Sequence, residues 1–298
     1  MSAASVLYDA PGPKARARNL VLTIVFGLVL AAALWWAIDT IAATDQLDAD
    51  KWQPYLQANV WTTYLLPGLA STLEAAFYAL IGSLVLGAVL ALGRLSDHVW
   101  VRLPAAWVVE LFRSIPVLVM MIFFKQLYVD GDIGSPDQRP LFAVVTALVL
   151  YNGSVLAEVF RAGIVSLPFG QTEASKAIGL RKGQMMRMIL LPQGFTAMLP
   201  ATVSQLVVIV KDTALGSIIL YPELLAAGRQ MTTQFGNPVA TYVGLALIFV
   251  LVNFVLTSLA GFLDKFMNRT RRGPKIDVTQ AAGGLGGTNV VVQSGSAS

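Results

Sequence analysis

The sequence predicts an all-α, polytopic membrane protein with six transmembrane helices and one long polar segment between the fourth and fifth spans. Its mean hydropathy is +0.67, and 56% of its 298 residues are apolar while only 13% are charged. The apolar residues are gathered in long windows that contain no charge at all. Because a helix needs about 20 mostly apolar residues to cross the hydrocarbon core of a bilayer, these windows predict spanning helices.

Five charge-free windows give five of the spans. They contain 20, 19, 18, 23 and 26 residues, and they cover residues 19–38, 75–93, 140–157, 188–210 and 238–263. Residues 103–129 are also strongly apolar, although they carry Glu110, Arg113 and Lys125. We interpret that stretch as the third of six spans.

The first window resembles a secretory signal sequence but is predicted to remain in the protein. It follows Lys14, Arg16 and Arg18, as an apolar signal region follows a basic one. It is longer than the usual apolar region of about 7–15 residues. Trp35 and Trp36 stand at its far end, where aromatic side chains mark a membrane interface. An uncleaved first span follows from these features.

The distribution of polar segments suggests four parts. These are an N-terminal tail (1–18), a first transmembrane helix with an external segment (19–60), a transmembrane core (61–267) and a flexible C-terminal tail (268–298). Within the second part, residues 44–59 are polar and long enough for a short surface helix. The last eighteen residues are rich in Gly, Ser and Ala, a composition typical of flexible segments.

The positive residues predict the orientation. With the N-terminus in the cytoplasm, sixteen of the 21 Lys and Arg residues fall in inner segments or at inner helix ends, as the positive-inside rule requires. Both termini and the polar segment after span four are therefore predicted to be cytoplasmic, in a multi-pass protein of the cell membrane. Topology and anionic lipid account for the basic balance without a nucleic-acid partner.

Several chemistries are disfavoured by what the sequence lacks. It contains no Cys and a single His, His98, so we expect no metal site and no cysteine nucleophile. A phosphate-binding loop of the Gly-Lys-Ser/Thr type needs a Lys followed by a hydroxyl residue, and no Lys here is followed by Ser or Thr. We also find no His, Asp and Ser arrangement suited to covalent catalysis. The chain is predicted not to be an enzyme and to hold no cofactor.

The polar segment at residues 173–192, EASKAIGLRKGQMMRMILLP, has the pattern of two short helices. Thr172 can cap the first helix, and Gly179 stands where a left-handed C-terminal cap would fall. A second helix can begin near Lys182 and run toward the membrane as far as Pro192. Small and apolar residues recur at helical spacing on the first helix, namely Ala174, Ala177 and Ile178. The residues alone leave two interpretations open, a docking element or an amphipathic connector lying on anionic lipid.

The same segment resembles the EAA loop of permease subunits of ATP-binding-cassette (ABC) importers. That loop has E-A-A, three residues, G, nine residues and then I-x-L-P, and the matching residues here are Glu173, Ala174, Gly179, Ile189, Leu191 and Pro192. Ser175 stands where the third residue is usually Ala, and Ser is small enough to keep close packing.

Four further segments resemble the polar-amino-acid branch of that family, which handles histidine, arginine, glutamine and glutamate. They are VELFRSIPVLV (109–119), LAEVFRAGIVSLPFGQ (156–171), LPQGFTAMLP (191–200) and VKDTALGSIILYPELL (210–225). The first span and the long tail are similar to those of actinobacterial glutamate permease subunits. The resemblance therefore implies a permease subunit of an amino-acid importer, with glutamate as the best candidate substrate.

The resemblance also implies partners and a coupling site. The first helix of the loop would dock on a cytoplasmic ATPase dimer, which would hold ATP and Mg²⁺, whereas this chain would hold no cofactor. The residues implied in that coupling are Glu173, Ala174, Ser175, Lys176 and Gly179. The other implied partners are a second permease subunit (a homologue or a copy of this chain), an extracytoplasmic solute-binding protein, a polar amino acid and membrane lipid.

Two spans carry the same charged motif near their inner ends. In each, a Glu precedes an Arg by three residues, Glu110 with Arg113 and Glu158 with Arg161, which puts both side chains on one helix face. One interpretation is that both pairs extend to the inner interface of the membrane. The other, our functional hypothesis, is that they line the translocation path or form an inner gate, since charges inside a membrane usually serve a function.

Other polar residues in the spans are further candidates for the path. Lys211 adjoins Asp212 near the outer end of span five, and the family resemblance implies a structural or gating role for the pair. Lys125 could attract the side-chain carboxylate of glutamate, or it could extend outward to the interface. Asn152 and Ser154 in span four, and Thr72 near span two, are possible hydrogen-bonding groups, although core packing is an alternative for each.

Two other classes of protein remain as alternatives. A secondary transporter would be expected to show inverted repeats and broken helices around a midplane site, and no clear repeat is present here. A non-transporting membrane scaffold would have no need for Glu–Arg motifs inside its spans.

Overall fold

The computed structural model describes residues 12–269 of the chain, with side chains described except at positions 195, 260 and 263–269. The predictions for residues 1–11 and 270–298 lie outside this range. Within it, every regular element is a helix, which confirms the all-α prediction. The α-helices are α1 (Pro13–Ala42), α2 (Ala49–Trp52), α3 (Ala58–Val60), α4 (Leu66–Arg94), α5 (Val99–Ser114), α6 (Val117–Asp130), α7 (Arg139–Val165), α8 (Phe169–Ala177), α9 (Lys182–Met185), α10 (Leu191–Asp212), α11 (Leu224–Phe235) and α12 (Pro238–Arg269).

Four shorter helical turns of other types connect these elements. Two are 3₁₀ turns, Gln53–Leu56 and Thr213–Ile219, and two are wider π-helical turns, Trp61–Leu65 and Met186–Leu190. Each π turn leads directly into an α-helix with a proline near its start. Because proline has no backbone N–H to donate, the preceding turn cannot keep the regular α pattern, and a single wider turn absorbs the mismatch.

Five helical segments of the described chain are long and apolar enough to cross a membrane, which confirms five of the predicted spans. They are Pro13–Ala42, Ala58–Arg94, Arg139–Val165, Thr196–Ile219 and Pro238–Leu259.

The predicted third span is not one continuous helix. Its residues form α5 and α6, which meet at an angle of 100°. The break follows from Pro116: the residue before a proline avoids the α conformation, and Ile115 is extended with φ −90° and ψ 128°. The described chain therefore has six spans only when this bent pair is counted as one.

The core of the bundle is the contact between α4 and α7. Small residues bring the two backbones together: a Cβ atom built on Gly87 would lie 2.8 Å from the Cβ of Leu156 and 3.0 Å from the carbonyl oxygen of Gly153. Lipid is as apolar as a leucine side chain, so membrane helices associate through close packing of this kind rather than through the hydrophobic effect. Around this contact α7 also packs against α5, α6 and α10.

The first helix stands apart from this core. No residue of α1 is buried, and its large side chains, such as Phe26 and Trp35, are mostly exposed. The segment after α1 is attached to the start of α12. Asn237 donates a 2.8 Å hydrogen bond to the carbonyl of Lys51, and the Tyr55 hydroxyl donates one of 2.9 Å to the carbonyl of Thr241. The predicted short surface helix within residues 44–59 is confirmed as α2.

Replacing Gly87 with valine should lower the thermal stability of the protein, because the new side chain would push α4 away from α7. Overpacking of a close contact costs about 1–3 kcal/mol. Thermal unfolding in detergent, followed by size-exclusion chromatography, measures the effect. Gly27→Val is the matched control, since a Cβ at Gly27 has nothing within 4 Å. Equal midpoints for the two variants would contradict the packing described.

Candidate functional site

The ends of α4 and α7 and the starts of α5 and α10 meet at one end of the bundle, next to α8 and α9. We call this the loop end. An apolar cluster holds it together, with Ile164, Met185, Leu190 and Met198 buried at its centre. The predicted polar segment is therefore a packed element rather than a loose connection.

The first helix of that segment, α8, begins earlier than predicted. It starts at Phe169, directly after Pro168, and no side chain caps it, so the prediction that Thr172 caps its start is wrong. The extended conformation of Pro168 (φ −53°, ψ 131°) sets the boundary instead. The end of the helix is as predicted, because Gly179 has φ +79° and donates a 3.0 Å hydrogen bond to the carbonyl of Lys176.

The face of α8 that carries small residues lies on the surface of this chain. Ala174 and Ala177 are exposed, and the larger apolar side chains of Phe169 and Ile178 are 75% and 74% exposed. Ser175 points the other way: it is buried, and its hydroxyl donates a hydrogen bond to the carbonyl of Gln171. Exposed apolar groups clustered on a helix outside the spans mark a surface for a protein or a membrane. Glu173 and Lys176 are exposed beside this surface.

The second helix of the segment starts at Lys182, as predicted. Its helical path does not stop at Pro192, however. It continues through the π turn at Met186–Leu190 into α10 without a gap. The polar segment is therefore joined to the fifth span by one continuous helical path that ends at Asp212.

The two predicted Glu–Arg pairs are present, and they belong to one network. Glu158 lies 2.5 Å from Arg161, and Glu110 lies 3.9 Å from Arg113. Arg94, at the end of α4, joins them: its Nη1 is 2.7 Å from Oε2 of Glu158 and 3.6 Å from Oε1 of Glu110. We call these five residues the ion-pair network. It links α4, α5 and α7 at the loop end.

Sequence reasoning missed the part played by Arg94. In the sequence Arg94 is only the charge that ends an apolar window. Its link to Glu158 depends on how α4 packs on α7, which no local pattern reveals.

A second ion pair, also missed, fastens the polar segment to α4. The Nζ of Lys182 lies 2.5 Å from Oδ1 of Asp97 and donates a 2.8 Å hydrogen bond to the carbonyl oxygen of Leu95. Both acceptors lie in the turn between α4 and α5. The hydrogen bond from Lys182 is the main reason why the pKa of Asp97 is lowered below its usual value, so this carboxyl stays ionised through the neutral range.

The polar candidates inside the spans are in different surroundings. Asn152 is fully buried, donates to the carbonyl of Leu148 at 3.0 Å and accepts from the amide of Gln205 on α10. Ser154 is fully buried, and Thr72 is buried and accepts a 3.0 Å hydrogen bond from the backbone N–H of Leu224.

The remaining charged candidates lie on helices that carry no member of the ion-pair network. Lys125 is half-buried in the second half of α6, Lys211 is exposed near the end of α10, and Asp212 is half-buried at that end. Their positions are therefore separate from the network in the helix arrangement.

The exposed face of α10 differs from those of the other spans. The exposed large side chains of α4 include Phe77, Ile81 and Val85, which suit lipid. Among the α10 residues whose side chains are described, which excludes position 195, the exposed ones recur mostly at a spacing of three or four, and only Val208 and Pro200 are neither small nor polar. The exposed residues are Gln193, Ala197, Pro200, Ala201, Ser204, Val208 and Lys211. We call this stripe the α10 face. A surface of this composition suits protein or water better than hydrocarbon.

A further buried carboxylate was not singled out by sequence reasoning. Glu223 is fully buried and caps the start of α11, accepting from the backbone N–H groups of Leu225 and Ala226 at 2.7 and 2.8 Å. An acidic residue just before an apolar helix is the signal that could have revealed it. Among the described residues, no group of three or more His, Cys, Asp or Glu side chains could hold a metal ion.

Comparison with known proteins gives consistent matches. A family described as "Binding-protein-dependent transport system inner membrane component" matches residues 83–269. The glutamate transport system permease protein GluD of Corynebacterium glutamicum is 44% identical over 231 residues, covering 78% of this chain and 85% of that protein. The glutamate/aspartate import permease protein GltK of Escherichia coli O6:H1 is 32% identical over 215 residues, covering 69% and 92%.

A solved structure has the same fold. The crystal structure of an amino acid ABC transporter with histidines contains a chain with a TM-score of 0.62 and 25% sequence identity, over 67% of this chain and 92% of that one. The several apolar spans define a multi-pass membrane protein, and the matches place it among the membrane subunits of transport systems. The chain belongs to the family of binding-protein-dependent transport system inner membrane components, whose match covers more than half of its length.

A double-mutant cycle should show that Arg94 and Glu158 stabilise each other. Arg94→Met and Glu158→Gln should each lower the unfolding midpoint in detergent, and the double variant should lose less than the sum of the two. Groups in direct contact typically show coupling energies of about 0.5–3 kcal/mol. A parallel cycle of Arg102 with Glu158 is the control, because Arg102 is an exposed cation of α5. Full additivity of the Arg94 cycle would contradict the network.

Proposed function

We propose that this chain is the permease subunit of an ATP-driven importer that moves a polar amino acid, glutamate, into the cell. The observation that carries the proposal is the exposed apolar face of α8, held outside the spans and ended by a left-handed Gly179. The exposed apolar side chains of Phe169 and Ile178 suit contact with a protein partner. The small side chains of Ala174 and Ala177 would let the backbone of such a partner approach closely, which contact with lipid does not require.

The partner in this proposal is a cytoplasmic ATPase dimer, which binds ATP and Mg²⁺. The family is that of inner membrane components, and this chain itself catalyses no reaction. The loop end then faces the cytoplasm, with both termini on the same side, in agreement with the positive charges of the sequence. Glu173, Ala174, Ser175, Lys176 and Gly179 form or support the docking helix.

The translocation path in this proposal runs along the α10 face, between this chain and a second permease subunit that is either a homologue or a copy. The small side chains of Ala197, Ala201 and Ser204 allow another helix to approach or leave room for substrate. Asn152 holds Gln205 from behind, which fixes a polar amide beside the path. A solute-binding protein would deliver the amino acid at the far end, near Lys211.

The ion-pair network serves as the inner gate in this scheme. It joins three helices through Arg94, so that separation of α4 from α7 or α5 must break an ion pair. Two states of the path can then differ by discrete contacts, and ATP binding shifts their populations because the ATPase contacts the two states differently. Neutralising Glu158 or Arg113 is expected to impair uptake without loss of membrane insertion.

Glutamate as substrate rests on two supports. Two permeases named above for glutamate or for glutamate and aspartate are 44% and 32% identical to this chain. In addition, Lys125 and Lys211 place positive charge away from the loop end, where a second carboxylate of the substrate would be attracted.

Uptake by the reconstituted complex tests the proposal. The chain, its ATPase and its partner permease would be placed in proteoliposomes with the solute-binding protein and labelled glutamate. ATP-dependent accumulation supports the proposal, and competition by unlabelled amino acids defines the substrate class. Accumulation driven by an ion gradient without ATP would identify a secondary transporter, and no flux with a bound ATPase would identify a scaffold. Either result would overturn the proposal.

Gly179→Val should uncouple ATP hydrolysis from uptake, because valine is strained at φ +79° and would alter the angle between α8 and α9. We expect ATPase activity to remain while uptake per ATP hydrolysed falls. Gly183→Val is the matched control: Gly183 lies in the same segment with open space around it and an ordinary backbone conformation. Normal coupling in the Gly179 variant would refute the assignment of this turn.

Lys125→Ala should weaken transport of amino acids with an acidic side chain more than transport of neutral ones. The measurement is the ratio of glutamate to glutamine uptake in the same proteoliposomes. Arg102→Ala, which removes an exposed cation from α5 at the other side of the bent pair, serves as the comparison. An unchanged ratio of glutamate to glutamine uptake would show that Lys125 does not contribute to substrate specificity.

A further inference from the structure

The contact of Lys182 is built differently from an ordinary surface ion pair. Its ammonium group has two acceptors, the Asp97 carboxylate at 2.5 Å and the backbone carbonyl of Leu95 at 2.8 Å. The carbonyl is one of those left without a partner at the end of α4. Lys182 therefore caps the end of α4 from a position 87 residues further along the chain. We call this contact the Lys182 clasp.

The clasp adds little to stability as an ion pair alone. The side chain of Asp97 is 74% exposed and that of Lys182 is 41% exposed, and exposed pairs of this kind contribute about 0–1 kcal/mol. Its position is more informative than its strength. Leu95 also packs against the cluster around Met185 and Leu190, so polar and apolar contacts fasten the start of α9 to one and the same turn.

That turn is directly joined to the ion-pair network. Arg94 precedes Leu95 in the chain and holds Glu158 on α7 and Glu110 on α5. The start of α9 is internally fixed, because the backbone N–H of Arg181 donates a 2.9 Å hydrogen bond to the side chain of Gln184. Lys182 therefore forms a short connection between the start of α9 and the residue next to Arg94.

We propose that Lys182 is a positioning residue that transmits the movement of the docking helix to the ion-pair network. The inference rests on the proposed function and adds a second route by which movement of the docking helix reaches the spans. One route is covalent, since α9 continues into α10. The other is the Lys182 clasp, which makes α4 and α5 move with α10. Without the clasp, α10 moves while the network holding α4, α5 and α7 stays closed.

The experiment compares uptake per ATP hydrolysed in the complete reconstituted importer. The variants are Lys182→Met, Asp97→Asn and the exchange of both charges, Lys182→Asp with Asp97→Lys. The single variants should keep ATPase binding and ATP hydrolysis but show a several-fold loss of uptake per ATP. The exchange should recover part of that loss, because the pair is restored although the contact with Leu95 is changed. Arg187→Met, at another exposed cation of the same segment, should behave as wild type.

Two results would overturn the inference. One is a normal uptake per ATP in Lys182→Met; the other is a loss that the charge exchange does not repair and that accompanies loss of ATPase co-purification, which would make Lys182 part of the docking surface. Failure of the proposed function itself is distinguishable, because the wild-type complex would then show no ATP-dependent uptake at all.

Discussion

The close packing of α4 against α7 sets the positions of the charged groups and of the short helices at the loop end. At Gly87 the two helices are so close that an added Cβ atom would collide with α7. This close packing brings Arg94 on α4 next to Glu158 on α7. The position of Arg94 in turn places the turn at Leu95 and Asp97 under Lys182. The packing contact between α4 and α7 thus fixes the relation between the start of α9 and the charged groups at the loop end.

The helix faces that suit lipid and those that suit protein differ in the size of their exposed side chains. The exposed sides of α1 and α4 carry large apolar groups such as Phe26, Phe77 and Val85, and contact with lipid satisfies them. On α10, exposed Ala201, Ser204 and Lys211 would gain little from lipid, and a charge there is costly unless it faces water or a partner. The same bundle therefore has one side that suits the bilayer and another that suits protein or water, and the second side belongs to α10, the helix that continues from α9.

Local patterns were enough to predict much of this structure. Charge-free windows predicted five spans. The spacing of three residues predicted the pairing of Glu110 with Arg113 and of Glu158 with Arg161. A glycine after the predicted first short helix, Gly179, indicated a left-handed helix end. Each of these features is encoded within a few residues. Pro116 is also a local signal for the break between α5 and α6, but the apolar residues on both sides of it favoured the prediction of one continuous span.

The missing features all depend on residues that are distant in sequence. Arg94 meets Glu158 because two helices pack, Lys182 meets Asp97 because the segment after α7 folds back, and Gln205 meets Asn152 across α10 and α7. Nothing in a single helix indicates which of its charges will find a partner on another. The two short helices α8 and α9 could be predicted from local sequence, whereas the attachment of α9 to the end of α4 depends on the fold.

In the proposed function, the α10 face lines a path whose exposure to water changes during the ATP cycle. The chain contains no cysteine, so Ser204→Cys introduces a single thiol into this subunit. Its rate of reaction with a membrane-impermeant maleimide would be measured in the reconstituted complex, without nucleotide and with the ATPase trapped by vanadate, beside Val85→Cys on the lipid-facing side of α4. The rate at position 204 is expected to change severalfold between the two states while position 85 stays unreactive in both; equal rates at position 204 in the two states would refute a path along the α10 face.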